Sequence, residues 1–262
     1  MSEYNELLQK SIFKNIQSMV VECNQNNKSN QNNQNEIVKL NIGCGPCMFA
    51  HDGWTNYDHA NFDQFINFIK TLPSDAKSLK FMEELRDYAK AGGELKIIPH
   101  DLTKGFPQHS DNSVHLIYLG QVIEHINPIF QAPELIKECY RMLKPGGVMR
   151  LTTPDLDLLV HAYINGEMDK FACEQPDFYK DRDPSAQLAM LMYGSSGASC
   201  VFNNYEGHMF LYTKTSMNKL LKDAGFEKII YYNKTGESVS EVLKKEVLDF
   251  GMTHSLCLEV IK

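Results

Sequence analysis

Val38 to Cys47, VKLNIGCGPC, concentrates the residues of this chain that are best suited to chemistry. Val38, Leu40 and Ile42 are apolar, and Gly43 and Gly45 follow at once, the pattern of a buried strand opening into a tight turn. Glycine removes the Cβ that would hold a ligand away, so such a turn brings backbone N–H groups against it. An ordinary strand-to-helix turn has the same outline. The turn also carries two thiols, since Cys44-Gly45-Pro46-Cys47 is the CGPC string of thiol–disulfide exchange sites, where a helix start lowers a cysteine pKa. Those sites normally place an aromatic residue where Gly43 stands, and one CxxC supplies only two of the four ligands that a structural zinc needs. Ligand contact is the favoured reading, with thiol–disulfide exchange through Cys44 and Cys47 a remote alternative.

Further acids follow the next strands. Gly53 to Asp58, GWTNYD, reads as a short strand ending in Asp58. In a nucleotide-binding βαβ unit an acid at this point accepts hydrogen bonds from a ribose diol, whereas a solvated loop aspartate is the plain alternative. Leu95 to Ile98 reads as a third strand, followed by His100-Asp101-Leu102, and an acid at a strand's carboxyl end lies where open α/β sheets bind ligands. Val114 to Leu119 is a fourth strand ending at Gly120-Gln121, with Glu124 and His125 within a turn of it. Val148 to Thr152 is a fifth, ended by Pro154-Asp155.

The elements that position these residues alternate. An amphipathic helix is expected in residues 1–23, with Leu7, Leu8, Ile12, Phe13, Ile16, Met19 and Val20 at spacings of three and four. Residues 24–36 are an Asn/Gln-rich tract too polar to bury, read as a linker. The folded domain then runs over 37–262, with a helical insert at about 61–92 and an irregular one at about 156–208. The second insert lacks simple periodicity and reads as a lid or substrate platform. Pro133 to Lys144 is a helix stopped by Pro145-Gly146-Gly147, and Thr215 to Ala224 another, stopped by Gly225. Phe226 to Tyr232 and Ser255 to Ile261 are closing strands suited to antiparallel pairing, around a mainly helical Ser238 to Phe250. Strands alternating with helices imply an α/β protein with a doubly wound seven-stranded sheet.

At 262 residues, 43% hydrophobic and 23% charged, the chain has the composition of an ordinary globular protein. A net charge of −7 disfavours nucleic acid and anionic membranes as partners. The start, MSEYNELLQK, is acidic where a signal peptide is basic, and no apolar run reaches the roughly 18 residues of a membrane span. A cytoplasmic protein is expected, and its seven cysteines fit reduced thiols.

In order and spacing, LNIGCG at 40–45, NYD at 56–58, HDL at 100–102, DNSVHLIYLGQVIEHI at 111–126, CYRMLKPGGVMRLTTPDL at 139–156 and GHMFLYT with LLKDAGF near the end resemble the class I S-adenosylmethionine-dependent methyltransferases. The likeness is greatest to a branch of small methyltransferases associated with polysaccharide and glycan biosynthesis. It implies a Rossmann-like sheet with the last strand antiparallel and S-adenosylmethionine as cofactor. It also implies that Gly43, Cys44 and Gly45 form the loop against the methionine moiety, that Asp58 holds the ribose hydroxyls, that Asp101 and Leu102 lie beside the adenine, and that Gly120 and Gln121 line the floor below the sulfonium. Three positions depart from the usual pattern: Asn41 replaces the acid that opens the glycine motif, Cys47 the third glycine, and His115 an acid of the fourth strand.

The reaction so implied is in-line displacement at a sulfonium methyl, for which alignment can lower the barrier by ~7–11 kcal/mol and a general base adds about 10²- to 10⁴-fold. The candidates for that base are His125, Asp155 and His208. The acceptor is expected to be a small molecule or sugar, methylated on oxygen. Alternatives are RNA, protein or lipid acceptors, and a non-catalytic cofactor-binding subunit that uses the amino-terminal helix for self-association or a partner. Some O-methyltransferases carry Glu-x-x-Glu-His after the fourth strand as part of a divalent metal site; Gln121 replaces the first Glu here, and no metal is expected.

Overall fold

The computed structural model describes residues 37–44, 54–58, 97–171, 182–194, 207–233, 237–246 and 254–262. The expected amino-terminal helix, the polar linker, the 61–92 insert, Gly45 and Cys47 lie outside the described residues.

Seven strands form one sheet: β1 (Lys39–Ile42), β2 (Trp54–Asp58), β3 (Ile98–Pro99), β4 (Val114–Gly120), β5 (Leu143–Pro154), β6 (Lys228–Tyr232) and β7 (Ser255–Ile261). Their order across the sheet is β3-β2-β1-β4-β5-β7-β6. β1 pairs in parallel with β2 and β4, as do β2 with β3 and β4 with β5, whereas β7 runs antiparallel between β5 and β6. This is the expected Rossmann-like seven-stranded α/β sheet with its last strand antiparallel. The connection after β1 goes to one side and the strand on its other side is β4, so a crevice opens at the carboxyl ends of β1 and β4.

Alternation along the strands sends residues to two different layers. Leu40, Ile42, Ile117, Leu119, Met149, Leu151, Leu258 and Val260 join the main core with Leu135, Ile136 and Cys139 of helix α1 (Gln131–Met142). Met217 and Leu221 of a later helix enter the same core. On the opposite face Trp54, Leu116, Tyr118 and Val148 pack with Leu243. That face also carries a row of buried polar residues, with Asn41 paired in register with Asn56 and Tyr118, and Tyr118 with Arg150, which in turn faces Glu259.

The described parts of 156–208 are more regular than their composition suggests. They contain α2 (Leu156–Ile164), a 3-10 turn at Met168–Phe171 and α3 (Pro184–Met192), which bury Leu159, Ala162, Met168, Phe171 and Leu191 with Leu211 in a separate small core. Both helices are apolar on several sides, which erases the 3.6-residue signal. Their starts are nevertheless marked: Asp155 Oδ1 accepts from the N–H groups of Asp157 and Leu158, and Asp183 Oδ1 from those of Ser185 and Ala186, with Pro184 opening the helix.

Two boundaries also move. α1 begins at Gln131, so Pro133 stands third in the helix, where its missing N–H is no loss. Pro145-Gly146-Gly147 is not a separate stop, because β5 runs through it from Leu143, with Gly146 at φ +80° donating its N–H to the Lys262 carbonyl. α4 (Lys214–Asp223) starts on a Thr213/Ser216 capping box, and α5 (Glu241–Glu246) precedes β7.

Candidate functional site

The crevice is built from chain turns at the strand ends. β1 stops at Gly43, whose φ of +70° lies in the left-handed region. A Cβ there would stand 2.5 and 2.8 Å from the Val122 methyls and 3.3 Å from Leu102. Gly43 therefore lets the turn seat directly on the segments that follow β4 and β3. The N–H groups of Gly43 and Cys44 both donate to the Tyr57 carbonyl, at 2.8 and 3.1 Å, which joins the turn to the end of β2 beside Asp58. Asp58 is largely buried, and its carbonyl accepts from His100 N–H at 2.7 Å.

Asn41 lies below this turn, fully buried, and its side-chain amide donates to Asn56 Oδ1 at 3.0 Å. Asp101 is exposed and caps the 3-10 turn Leu102–Lys104, Oδ1 accepting from Thr103 N–H and Oγ1. At the end of β4 a Cβ on Gly120 would fall 2.5 Å from the Tyr118 ring. Gln121 then adopts φ +57°, a conformation uncommon for a residue with a side chain. Its backbone N–H is held by the Thr152 carbonyl at 2.8 Å and its amide reaches Ser255 Oγ at 3.1 Å. Cys44 is buried, so the structure offers no exposed thiol at this position.

Immediately beyond, the 3-10 turn Ile123–His125 carries a second group of polar residues. Glu124 is fully buried, with Oε2 accepting from Thr153 Oγ1 at 3.0 Å and Oε1 without a hydrogen-bond partner among the described residues. Burial pushes its carboxyl pKa up to about 8. His125 Nε2 is 3.9 Å from that Oε1, and the His125 ring lies 4.9 Å from the His208 ring, centroid to centroid. His208 Nδ1 is 3.1 Å from the Met192 carbonyl oxygen. Burial first, and the neighbouring His125 second, pull the His208 pKa down to about 4. One ligand-type atom from each of Glu124, His125 and His208 lies within 4.8 Å of the other two.

The backbone explains why these distant residues meet. Met209 and Phe210 donate their N–H groups to the Glu124 carbonyl at 2.7 and 3.2 Å, so the segment carrying His208 is tied to the turn carrying His125. Gly194 stands on the other side, where a Cβ would lie 2.7 Å from His208 Nε2. The hydrogen bonds of the Asp155 side chain run to α2 instead: its Oδ1 accepts from the Asp157 and Leu158 N–H groups, and burial raises its carboxyl pKa. Glu124 and Thr153 are members of the cluster that do not figure among the candidate bases read from the sequence. Only the placement of Glu124 between Ile123 and His125, directly after an apolar strand, hinted at burial.

A family model described as a methyltransferase domain matches residues 29–230. Among solved structures, the chain is similar to an S-adenosylmethionine-dependent methyltransferase of Archaeoglobus fulgidus, with 16% identity, 86% of each chain covered and a TM-score of 0.44. It is similar to a possible histamine N-methyltransferase of Thermotoga maritima, with 15% identity, 99% of this chain and 95% of that one covered and a TM-score of 0.44. The corresponding figures for an S-adenosylmethionine-dependent methyltransferase of Mesorhizobium loti are 14%, 88%, 94% and 0.44. No curated protein matches the chain significantly. Among the described residues no helix is long and apolar enough to cross a membrane.

Proposed function

The chain belongs to the methyltransferase domain family, and from that premise we propose that it transfers a methyl group from S-adenosylmethionine to a hydroxyl of a small-molecule or sugar acceptor. One observation carries the reading. The short segment after β4 supplies both Val122, on which the Gly43 turn is seated, and Glu124 and His125, which meet His208. A donor crevice and a polar acceptor site are thereby built into consecutive residues. Sugar as the acceptor class rests on the order of the sequence motifs and on the density of hydroxyl-compatible polar groups at that cluster.

The residues suit this cofactor. The Gly43 turn is seated on the segments after β3 and β4 at the mouth of the crevice, and Asp58 stands at the end of β2 beside it, where a carboxylate accepts two hydroxyls of a ribose. Gly43 and Cys44 form the loop against the methionine portion, Leu102 lies beside the adenine with Asp101 capping its turn, and Gly120 and Gln121 form the floor. Asn41 braces the loop from below through Asn56.

When bound, S-adenosylmethionine supplies an electrophilic sulfonium methyl, which forms a bond to the acceptor oxygen as its bond to sulfur breaks and a neutral thioether leaves. His125 and His208 stand at the acceptor hydroxyl, and an imidazole nitrogen of one of them takes its proton as the oxygen–carbon bond forms. Their alignment of that oxygen with the crevice is the main contribution of the protein, worth up to ~7–11 kcal/mol. Asp155 is the cap of α2 and contributes by holding that helix.

Titration calorimetry with S-adenosylmethionine tests the donor half. Saturable one-to-one binding is expected, weakened about 10- to 100-fold in Asp58→Ala by loss of a charged hydrogen-bond acceptor. Absence of binding to the unaltered chain would sink the reading. Transfer of labelled methyl to a panel of sugars and small hydroxyl compounds tests the acceptor half.

A further inference from the structure

We propose that Glu124, His125 and His208 form a binding site for a divalent first-row transition cation of the zinc class. Two imidazoles and one carboxylate are a ligand set used by catalytic zinc and by related divalent ions, and three protein ligands leave positions open to an acceptor oxygen. Ligand atoms around such an ion lie about 2.0–2.2 Å from it. The observed separations, 3.9 Å for Glu124 Oε1 to His125 Nε2 and at most 4.8 Å overall, close to that geometry with side-chain movements of about 1 Å.

Two independent features orient the ligand atoms, and a third holds the His208 ring in place. Glu124 is sealed from solvent, yet only Oε2 is engaged, by Thr153; Oε1 faces His125 with no hydrogen-bond partner among the described residues. An orphaned carboxylate oxygen in a fully buried position is costly unless a ligand satisfies it. The Met192 carbonyl cannot donate, so its contact with His208 Nδ1 puts the ring proton on that nitrogen and leaves the lone pair on Nε2. A carbonyl or carboxylate behind a histidine is the usual way in which a ligating ring is oriented. Gly194 in turn seats its backbone close against the His208 ring, where a Cβ would stand 2.7 Å from both Nε2 and Cδ2, and so fixes the ring in place.

The nearby Gln121 directs its side-chain amide to Thr152 and Ser255. Among the described residues, three side chains then offer ligand atoms at this site. A cation held there would lower the pKa of a bound hydroxyl, whose proton would leave to solvent rather than to an imidazole, and His125 and His208 would act on the acceptor as ligands of the ion. This role in the reaction rests on the methyl-transfer reading, whereas the binding does not.

The test uses the full-length chain stripped with a chelator and titrated with Co²⁺, whose visible d–d absorption reports ligand number. One equivalent should bind with the spectrum of a low-coordinate site, and excess Zn²⁺ should abolish it. His125→Ala and His208→Ala should each lose more than the roughly 10- to 100-fold in affinity that removal of an outer partner costs, and Thr153→Val should fall within that range. His208→Gln, with circular dichroism to verify folding, separates loss of a ligand from loss of structure. Absence of saturable Co²⁺ binding, or affinity unchanged in both folded histidine variants, would overturn the proposal. Neither donor nor acceptor is present, so S-adenosylmethionine binding is judged separately.

Discussion

Arg150 Nη1 lies 2.7 Å from Glu259 Oε1, with both side chains sealed between the centre of the sheet and the segment before α5. The pair is not isolated. Arg150 also donates to the Glu237 carbonyl, while Glu259 accepts from Ser238 Oγ, Tyr232 Oη and the Val239 N–H. Glu259→Ala leaves a buried guanidinium without its counter-charge and is expected to cost about 3–5 kcal/mol. Urea unfolding measures this directly. The double variant Arg150→Met/Glu259→Leu should recover much of the loss, and a single variant within 1 kcal/mol of the parent, roughly, would refute the expectation.

Gly43→Ala is expected to lower both stability and donor affinity. It imposes a left-handed backbone on alanine and drives its Cβ to 2.5 Å from a Val122 methyl. The backbone strain alone amounts to about 1–3 kcal/mol. Thermal melting should show a lower midpoint, and calorimetry with S-adenosylmethionine a weaker complex. If both quantities were unchanged, the seating of the turn on Val122 would have no energetic role.

These two positions differ in how much the sequence reveals. Gly43 is legible because a strand ending in glycines has few alternatives, and β7 is legible because Leu256, Leu258 and Val260 alternate with residues of the other face. Arg150 and Glu259 are not, since a charged residue in a strand reads as solvent-facing until a partner across the sheet is known. α2 and α3 were hidden by apolar residues on several sides, although Asp155 and Asp183 mark their starts. The meeting of His125 and His208 depends on N–H groups of Met209 and Phe210 reaching the Glu124 carbonyl, a long-range pairing that no local pattern announces.

Glu138 should make stability depend on acid pH. Its carboxylate accepts from Arg141 and from the Phe106 N–H, and the Arg141 hydrogen bonds hold its pKa below the usual 4.5. A carboxyl whose pKa is depressed by folding contributes stability that is fully present above the unfolded value and is lost as pH falls through the folded one. Glu138→Gln should therefore cost about 1–2 kcal/mol at pH 7, allowing for the partial exposure of Arg141. The difference between the two proteins should shrink as the pH is taken below about 4.5. A gap that stayed constant down to pH 2 would assign the effect to something other than this charge.

Asp155 offers a way to separate a structural carboxylate from one that takes a proton. Asparagine caps a helix about as well as aspartate but is no base, whereas alanine does neither. Asp155→Asn should keep the melting midpoint and change the methyl-transfer rate less than about threefold, because the Oδ1 contacts to Asp157 and Leu158 survive and the proposed reaction uses His125 and His208. Asp155→Ala should cost about 1 kcal/mol of stability, the ordinary worth of a cap, with any loss of rate following the loss of α2 order. A general base would give the opposite pattern. The asparagine variant would then fold normally and lose about 10²- to 10⁴-fold in rate, and its pH–rate profile would lose a limb. Measuring both variants for melting and for turnover over pH thus decides whether the carboxylate at the end of β5 holds the helix or moves the proton.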